Sequence, residues 1–126
     1  MSPEILEFCT ECYIIDSDGL DHIIEKDQVF YYIAQEQYTV KLEGLEQYYT
    51  QYKPKTVHMY ISPAGARSFP VHTDPYDVEL RVEQGIKTIE IGGVEREVAD
   101  YIFIPKDTPH QATNKYSSII LSIGDE

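Results

Sequence analysis

From Thr56 onward, short runs of β-branched and aromatic residues alternate with turn residues, and no helix-length stretch intervenes. The runs are Val57–Ile61, Ser68–Val71, Asp77–Val82, Lys87–Ile91, Val94–Val98, Tyr101–Ile104, His110–Thr113 and Ser117–Ile123. Between them lie Pro63-Ala64-Gly65, Glu83-Gln84-Gly85, Gly92-Gly93, Asp107-Thr108-Pro109 and Asn114-Lys115. Strands this closely spaced, with turn residues and no helices between them, form an antiparallel sandwich or barrel. The most economical all-β assignment is a double-stranded β-helix, the jelly roll, whose two sheets leave room for a ligand between them.

Residues 1–55 are of mixed character. Cys12–Ile15 reads as a strand before the turn Asp16-Ser17-Asp18-Gly19, and Gln28–Ala34 is an apolar run of ambiguous period. Leu42, Leu45, Tyr48 and Tyr49 recur near helical spacing, which predicts a helix over Leu42–Tyr52 ended by Pro54. At 126 residues the chain has the length of one domain. The expected organisation is a helical and strand-containing segment at 1–55 and a barrel core at 56–124.

The residues with most chemistry are His72, Asp74 and His110. Side chains two apart on an extended backbone share a face, so His72 and Asp74 can bind one ion, and His110 from a distant strand can complete the set. Two imidazoles and one carboxylate with open positions form the facial triad of non-haem Fe(II) oxygenases. The bland alternative for His72 and Asp74 is a hydrogen-bonded surface pair. By the same parity Val78, Leu80 and Val82 continue the face of His72 and Asp74, and Lys87 shares its face with Ile89 and Ile91. A lysine on the inner face carries a desolvation penalty of several kcal/mol unless an anion offsets it, which makes Lys87 a candidate carboxylate binder. A strand-end lysine reaching into water is the alternative. His22 and His58 read as surface residues, with a cavity-lining position for His58 as the other option.

His72-x-Asp74, Tyr76-Asp77-Val78, Glu83-x-Gly85-x-Lys87 and Ile104-Pro105 before His110 together resemble the cupin-fold jumonji-type oxygenases that use Fe(II) and 2-oxoglutarate. The ribosomal-oxygenase branch is the most similar. Its Ser-x-x-Leu-x-x-Gly segment is matched in Ser117–Gly124, and its glycine-bearing approach in Met59–Gly65. The resemblance implies that His72, Asp74 and His110 ligate Fe(II). It implies that Lys87, fifteen positions after His72 (87 − 72 = 15), pairs with the far carboxylate of 2-oxoglutarate, helped by a hydroxyl from Tyr60, Ser68 or Ser122. Two departures matter. His72 and His110 stand closer in sequence than in that branch, and the helical insertions that build a protein-substrate groove are missing, so a small molecule or a peptide is the expected substrate. The wider cupin pattern is also met by Pro105-x-Asp107-x-x-His110 and His72-x-Asp74-x-x-x-x-Glu79. It would make Glu79 a fourth ligand and dispense with 2-oxoglutarate, although alternation turns Glu79 away. A non-catalytic binding module is the third reading.

Charge narrows the partners. Ten Lys and Arg against 22 Asp and Glu give a net charge of −12, which excludes the phosphate-neutralising surface of a nucleic-acid binder. The apolar runs are too short to span a bilayer, and Met1-Ser2-Pro3-Glu4 lacks a basic, apolar leader, so a cytoplasmic protein is expected. Cys9 and Cys12 have C-x-x-C spacing without a second ligand pair, and read as two reduced thiols. Eleven Tyr and no Trp suggest either core filling or a contact surface, so a homodimer through a sheet edge is an expectation.

Overall fold

The computed structural model describes residues 2–125 and contains ten strands, all paired antiparallel. They are β1 (Glu11–Ile15), β2 (Asp21–Ile24), β3 (Thr39–Glu43), β4 (Thr56–Ser62), β5 (Val78–Gly85), β6 (Lys87–Ile91), β7 (Val94–Val98), β8 (Tyr101–Ile104), β9 (His110–Ala112) and β10 (Ser118–Gly124). Seven of them form one sheet in the order β2-β1-β3-β4-β10-β5-β8, and β7-β6-β9 form a second. Two short helices, α1 (Ile5–Phe8) and α2 (Val29–Gln35), lie in the N-terminal part. Among the described residues no helix is long and apolar enough to cross a membrane.

The large sheet is buried on both sides at its centre, which is why β4 and β10 read as nearly continuous apolar runs. Val57, Met59, Ile61, Leu121 and Ile123 pack outward against Ile5, Val29, Leu42 and Leu45 of the N-terminal part. Tyr60 and Ile120 point the other way, into a second core with Val78, Leu80, Ile89 and Ile104 between the two sheets. Alternation along one strand thus serves two cores. The second core is the one that borders the candidate site.

The expected jelly roll is therefore present, with three differences of detail. The predicted helix over Leu42–Tyr52 does not form. Leu42 belongs to β3, which pairs with both β1 and β4, and Gly44 at φ +74 ends the strand before short 3-10 turns at Leu45–Gln47 and Thr50–Tyr52. Backbone pairing on two sides outweighs a weak helical period, and the turns still bury Leu45. The run Ser68–Val71 is not a strand, since Pro70 offers no N–H, and only His72 beyond it bridges to His110. Glu83-Gln84-Gly85 is not a turn but the end of β5, held against β10 by a register shift at Ile119/Ile120. By contrast β6, β7 and β8 match their sequence runs, with Gly92-Gly93 at positive φ closing the β6–β7 hairpin.

Candidate metal centre

His72 and Asp74 lie in the long connection between β4 and β5, and His110 opens β9. The connection is fixed from the other side: Asp107 N–H donates to Asp74 O at 2.7 Å, and Lys106 N–H to Asp77 Oδ1 at 2.8 Å. These contacts bring the loop before β9 against the loop before β5. One potential ligand atom from each of His72, Asp74 and His110 then lies within 4.8 Å of the others. Asp74 Oδ2 is 3.5 Å from His72 Nε2 and 3.4 Å from His110 Nε2. Ligand bonds of about 2.1 Å place neighbouring octahedral ligands about 3 Å apart, so each of the two carboxylate–imidazole spacings is within about half an ångström of that value.

The outer contacts of the imidazoles decide which nitrogen is free. His72 Nδ1 lies 2.8 Å from Pro70 O, and His110 Nδ1 lies 2.8 Å from Thr108 O. A carbonyl only accepts, so both Nδ1 atoms carry the proton and both Nε2 lone pairs face Asp74. Burial, reinforced by the neighbouring His72, lowers the pKa of His110 and favours the neutral imidazole that a metal requires. Phe69 backs the pair edge-on, with centroids 5.3 Å from His72 and 5.7 Å from His110. The donor set therefore fits a divalent cation.

The triad opens on a cavity of about 320 Å³ that runs between the sheets. Tyr60 and Ser122, two of the hydroxyls singled out in the sequence, line it. His58 lines it as well, so the expected surface position for that residue is corrected: it shares the inner face of β4 with Tyr60. His22 is exposed and pairs with Asp16, and Glu79 pairs with Arg81 and does not line the cavity.

Lys87 is buried to 1% exposure, as its inward parity predicted, but it does not line the cavity. Its Nζ donates to Asn114 Oδ1 at 2.7 Å and lies 5.9 Å from the Phe69 ring centre, so Phe69 contacts both the lysine and the triad. Asn114 in turn donates to Ala66 O at 2.8 Å. The partner of the ammonium is thus a neutral amide, and burial pulls its pKa down to about 7. Ser68 Oγ is buried without a hydrogen-bond partner in the same loop as Phe69.

Sequence reasoning missed three residues at the cavity, Asp21, Lys41 and Glu43. They belong to β2 and β3, and no motif marked them. Only the pairing of those strands with the barrel brings them there.

Two sheets enclosing this cavity and a His-Asp-His cluster at its wall define a jelly-roll cupin fold with a candidate metal centre. Comparison with solved structures agrees on the fold. YcfD, a ribosomal oxygenase from Escherichia coli solved with cobalt and succinic acid, superposes with a TM-score of 0.69 at 15% identity over 98% of this chain. The chain spans 43% of YcfD's length. An RmlC-like cupin from Shewanella frigidimarina gives 0.54 at 15% identity, covering 68% of this chain and 74% of its own. A salicylate 1,2-dioxygenase from Pseudaminobacter salicylatoxidans gives 0.52 at 12% identity over 56% of this chain and 21% of its own. No family model and no curated protein sequence matches the chain.

Proposed function

We propose that this protein is a cytoplasmic Fe(II)- and 2-oxoglutarate-dependent oxygenase acting on a small molecule or a peptide. The observation that carries the reading is the convergence of His72 Nε2, His110 Nε2 and one Asp74 oxygen, each imidazole held in the ligating tautomer by a backbone carbonyl. When bound, Fe(II) with 2-oxoglutarate supplies the oxidising chemistry, and the protein supplies orientation and shielding. His72, Asp74 and His110 would hold the metal on one face. Phe69 and Leu80 keep part of the cavity wall apolar.

For the co-substrate, Lys87 offers a fully buried ammonium whose bonded neighbour is a neutral amide. A buried ammonium of this kind is stabilised by a carboxylate, and the unpartnered Ser68 Oγ offers a further donor in the adjoining loop. Cobalt and succinic acid, the two ligands bound in YcfD, support the same pairing of cation and dicarboxylate.

One observation favours a second reading, a cupin metalloprotein without 2-oxoglutarate. Phe69 stands beside both Lys87 and the triad, and Lys87 does not line the cavity. Anaerobic calorimetric titration of 2-oxoglutarate into Mn(II)-loaded protein separates the two. Saturable one-to-one binding that Lys87→Met removes, with Mn(II) binding retained, establishes the first. Mn(II) binding with no 2-oxoglutarate heat establishes the second.

A further inference from the structure

The cavity carries a second charged group away from the triad. Lys41 Nζ lies 3.1 Å from Glu43 Oε2 and 3.6 Å from Asp21 Oδ2, and all three residues line the cavity. The ammonium also stands over two phenol rings, 5.4 Å from the Tyr13 centre and 5.8 Å from the Tyr60 centre. A chain of ring contacts connects it to the metal centre: Tyr60 meets Phe69 at 5.5 Å, and Phe69 meets His72 at 5.3 Å. One cavity therefore has a candidate metal centre at one end of this chain and a salt-bridged group at the other.

Register explains how the group is built. Lys41 is opposite Tyr13 on β1 and opposite Tyr60 on β4, so its side chain shares their face of the sheet. Glu43 lies two residues further along β3 on the same face, and Asp21 comes from the edge strand β2. Burial works against the charge on Lys41, but Tyr60, Glu43 and Asp21 together raise its pKa above the ordinary lysine value. It stays protonated.

The charge sum at this end then decides what else it can hold. Two carboxylates face one ammonium, which leaves one negative charge over. Glu43 is the closer partner, whereas Asp21 is the looser one and its side chain is 45% exposed, so Asp21 keeps acceptor capacity for an incoming group. An anion here would have to compete with Glu43 for Lys41. A cation meets unspent carboxylate and aromatic faces, and Lys41 itself shows that an ammonium is accepted between them.

We propose that Asp21 and Glu43 are specificity-determining residues that select a small organic cation, a primary amine or a guanidine, as the substrate presented to the metal centre. A cavity of about 320 Å³ is at the small-molecule end of the range for ligand sites, which favours a free compound over a folded partner. As a statement about the substrate it rests on the oxygenase reading, but its binding is measured without turnover, so the two fail separately.

The test titrates three probes of matched size, 1-aminopentane, pentanoate and 1-pentanol, into Mn(II)-loaded protein. The amine is expected to bind about tenfold or more tightly than either of the others, a difference that one charge-assisted hydrogen bond supplies. Asp21→Asn with Glu43→Gln is expected to erase that preference and leave Mn(II) affinity unchanged, and Lys41→Met to strengthen the amine, since a competing cation is gone. Preference for pentanoate, no preference, or an amine preference that survives both acid substitutions, as direct ligation of Mn(II) would give, each overturns the proposal. Asp21→Asn alone, at a half-exposed edge position, covers the case of a double variant that does not fold. Loss of Mn(II) binding in the unaltered protein would instead count against the oxygenase reading.

Discussion

His72 and His110 exchange both of their backbone hydrogen bonds, 3.1 Å from His72 N to His110 O and 3.0 Å in return, and their imidazole centroids stand 4.3 Å apart. The two nitrogen donors are therefore coupled through main chain, and the geometry does not depend on side-chain rotamers alone. Asp74 completes the group from a backbone held by Asp107. Replacing Asp74 with Ala removes the single carboxylate and leaves the bridge intact. Since loss of an outer contact costs about 10–100-fold in metal affinity, loss of this ligand is expected to cost at least about a hundredfold. Mn(II) titration followed by electron paramagnetic resonance measures it, and an affinity within a few-fold of the unaltered protein would remove Asp74 from the ligand set.

Lys87 gives a pH dependence whose sign is fixed by burial. The folded chain releases its proton near pH 7, whereas an unfolded lysine holds it to the ordinary value of 10.5. Between those values the unfolded state binds more protons, so raising the pH through that window stabilises the fold. Lys87→Met lacks this contribution. Its stability relative to the unaltered protein is expected to be highest near pH 7 and to fall by about 2 kcal/mol or more by pH 10. The lost contact to Asn114 does not titrate and drops out of the slope. Urea denaturation of both proteins at several pH values checks it, and parallel curves would show that the lysine is hydrated in solution.

The strand pattern after Thr56 carried the architecture because β4, β5, β6, β8 and β10 each set residues against the core between the sheets, and alternation records that. The triad was legible for a related reason. His72 and Asp74 are local in sequence, and His110 follows the last turn before β9. What the sequence concealed came from strand pairing over long separations. The 16% exposed Lys41 reaches the cavity because β3 joins β4, and the chain directly after it, from Leu42, reads as a helix until that pairing is known. Lys87 shows the limit of parity: its inward direction was correct, but alternation could not reveal that Asn114, at φ 44, would meet its ammonium.

Gly85 is placed where a side chain has no room. Its φ is +77, and an added Cβ would stand 2.2 Å from Ser117 O, which is backbone and cannot swing away. Gly93, at φ +81, has nothing within 4 Å and serves as the control for conformational strain alone. Gly93→Ala is expected to cost about 1 kcal/mol, the usual penalty of the left-handed region. Gly85→Ala adds a displacement of β10 and is expected to cost about 3 kcal/mol or more. Equal losses in chemical denaturation would mean that β5 and β10 part at this end without penalty.

Cys9 and Cys12 bring their sulfurs to 3.5 Å where α1 meets β1, and both are buried. Burial, then the hydrogen bond shared with Cys9, pushes the Cys12 thiol up to about 12. The thiolate is the form that alkylates, and burial keeps Cys12 in its thiol form near neutral pH. Labelling of the folded protein by iodoacetamide is therefore expected to be slower than that of the urea-unfolded chain by about a hundredfold or more. Peptide mass spectrometry after timed pulses resolves the two positions. Rapid native labelling at Cys12 would show that the segment joining α1 to β1 opens readily, and would make the pair a reactive dithiol in place of a packed element of the N-terminal core.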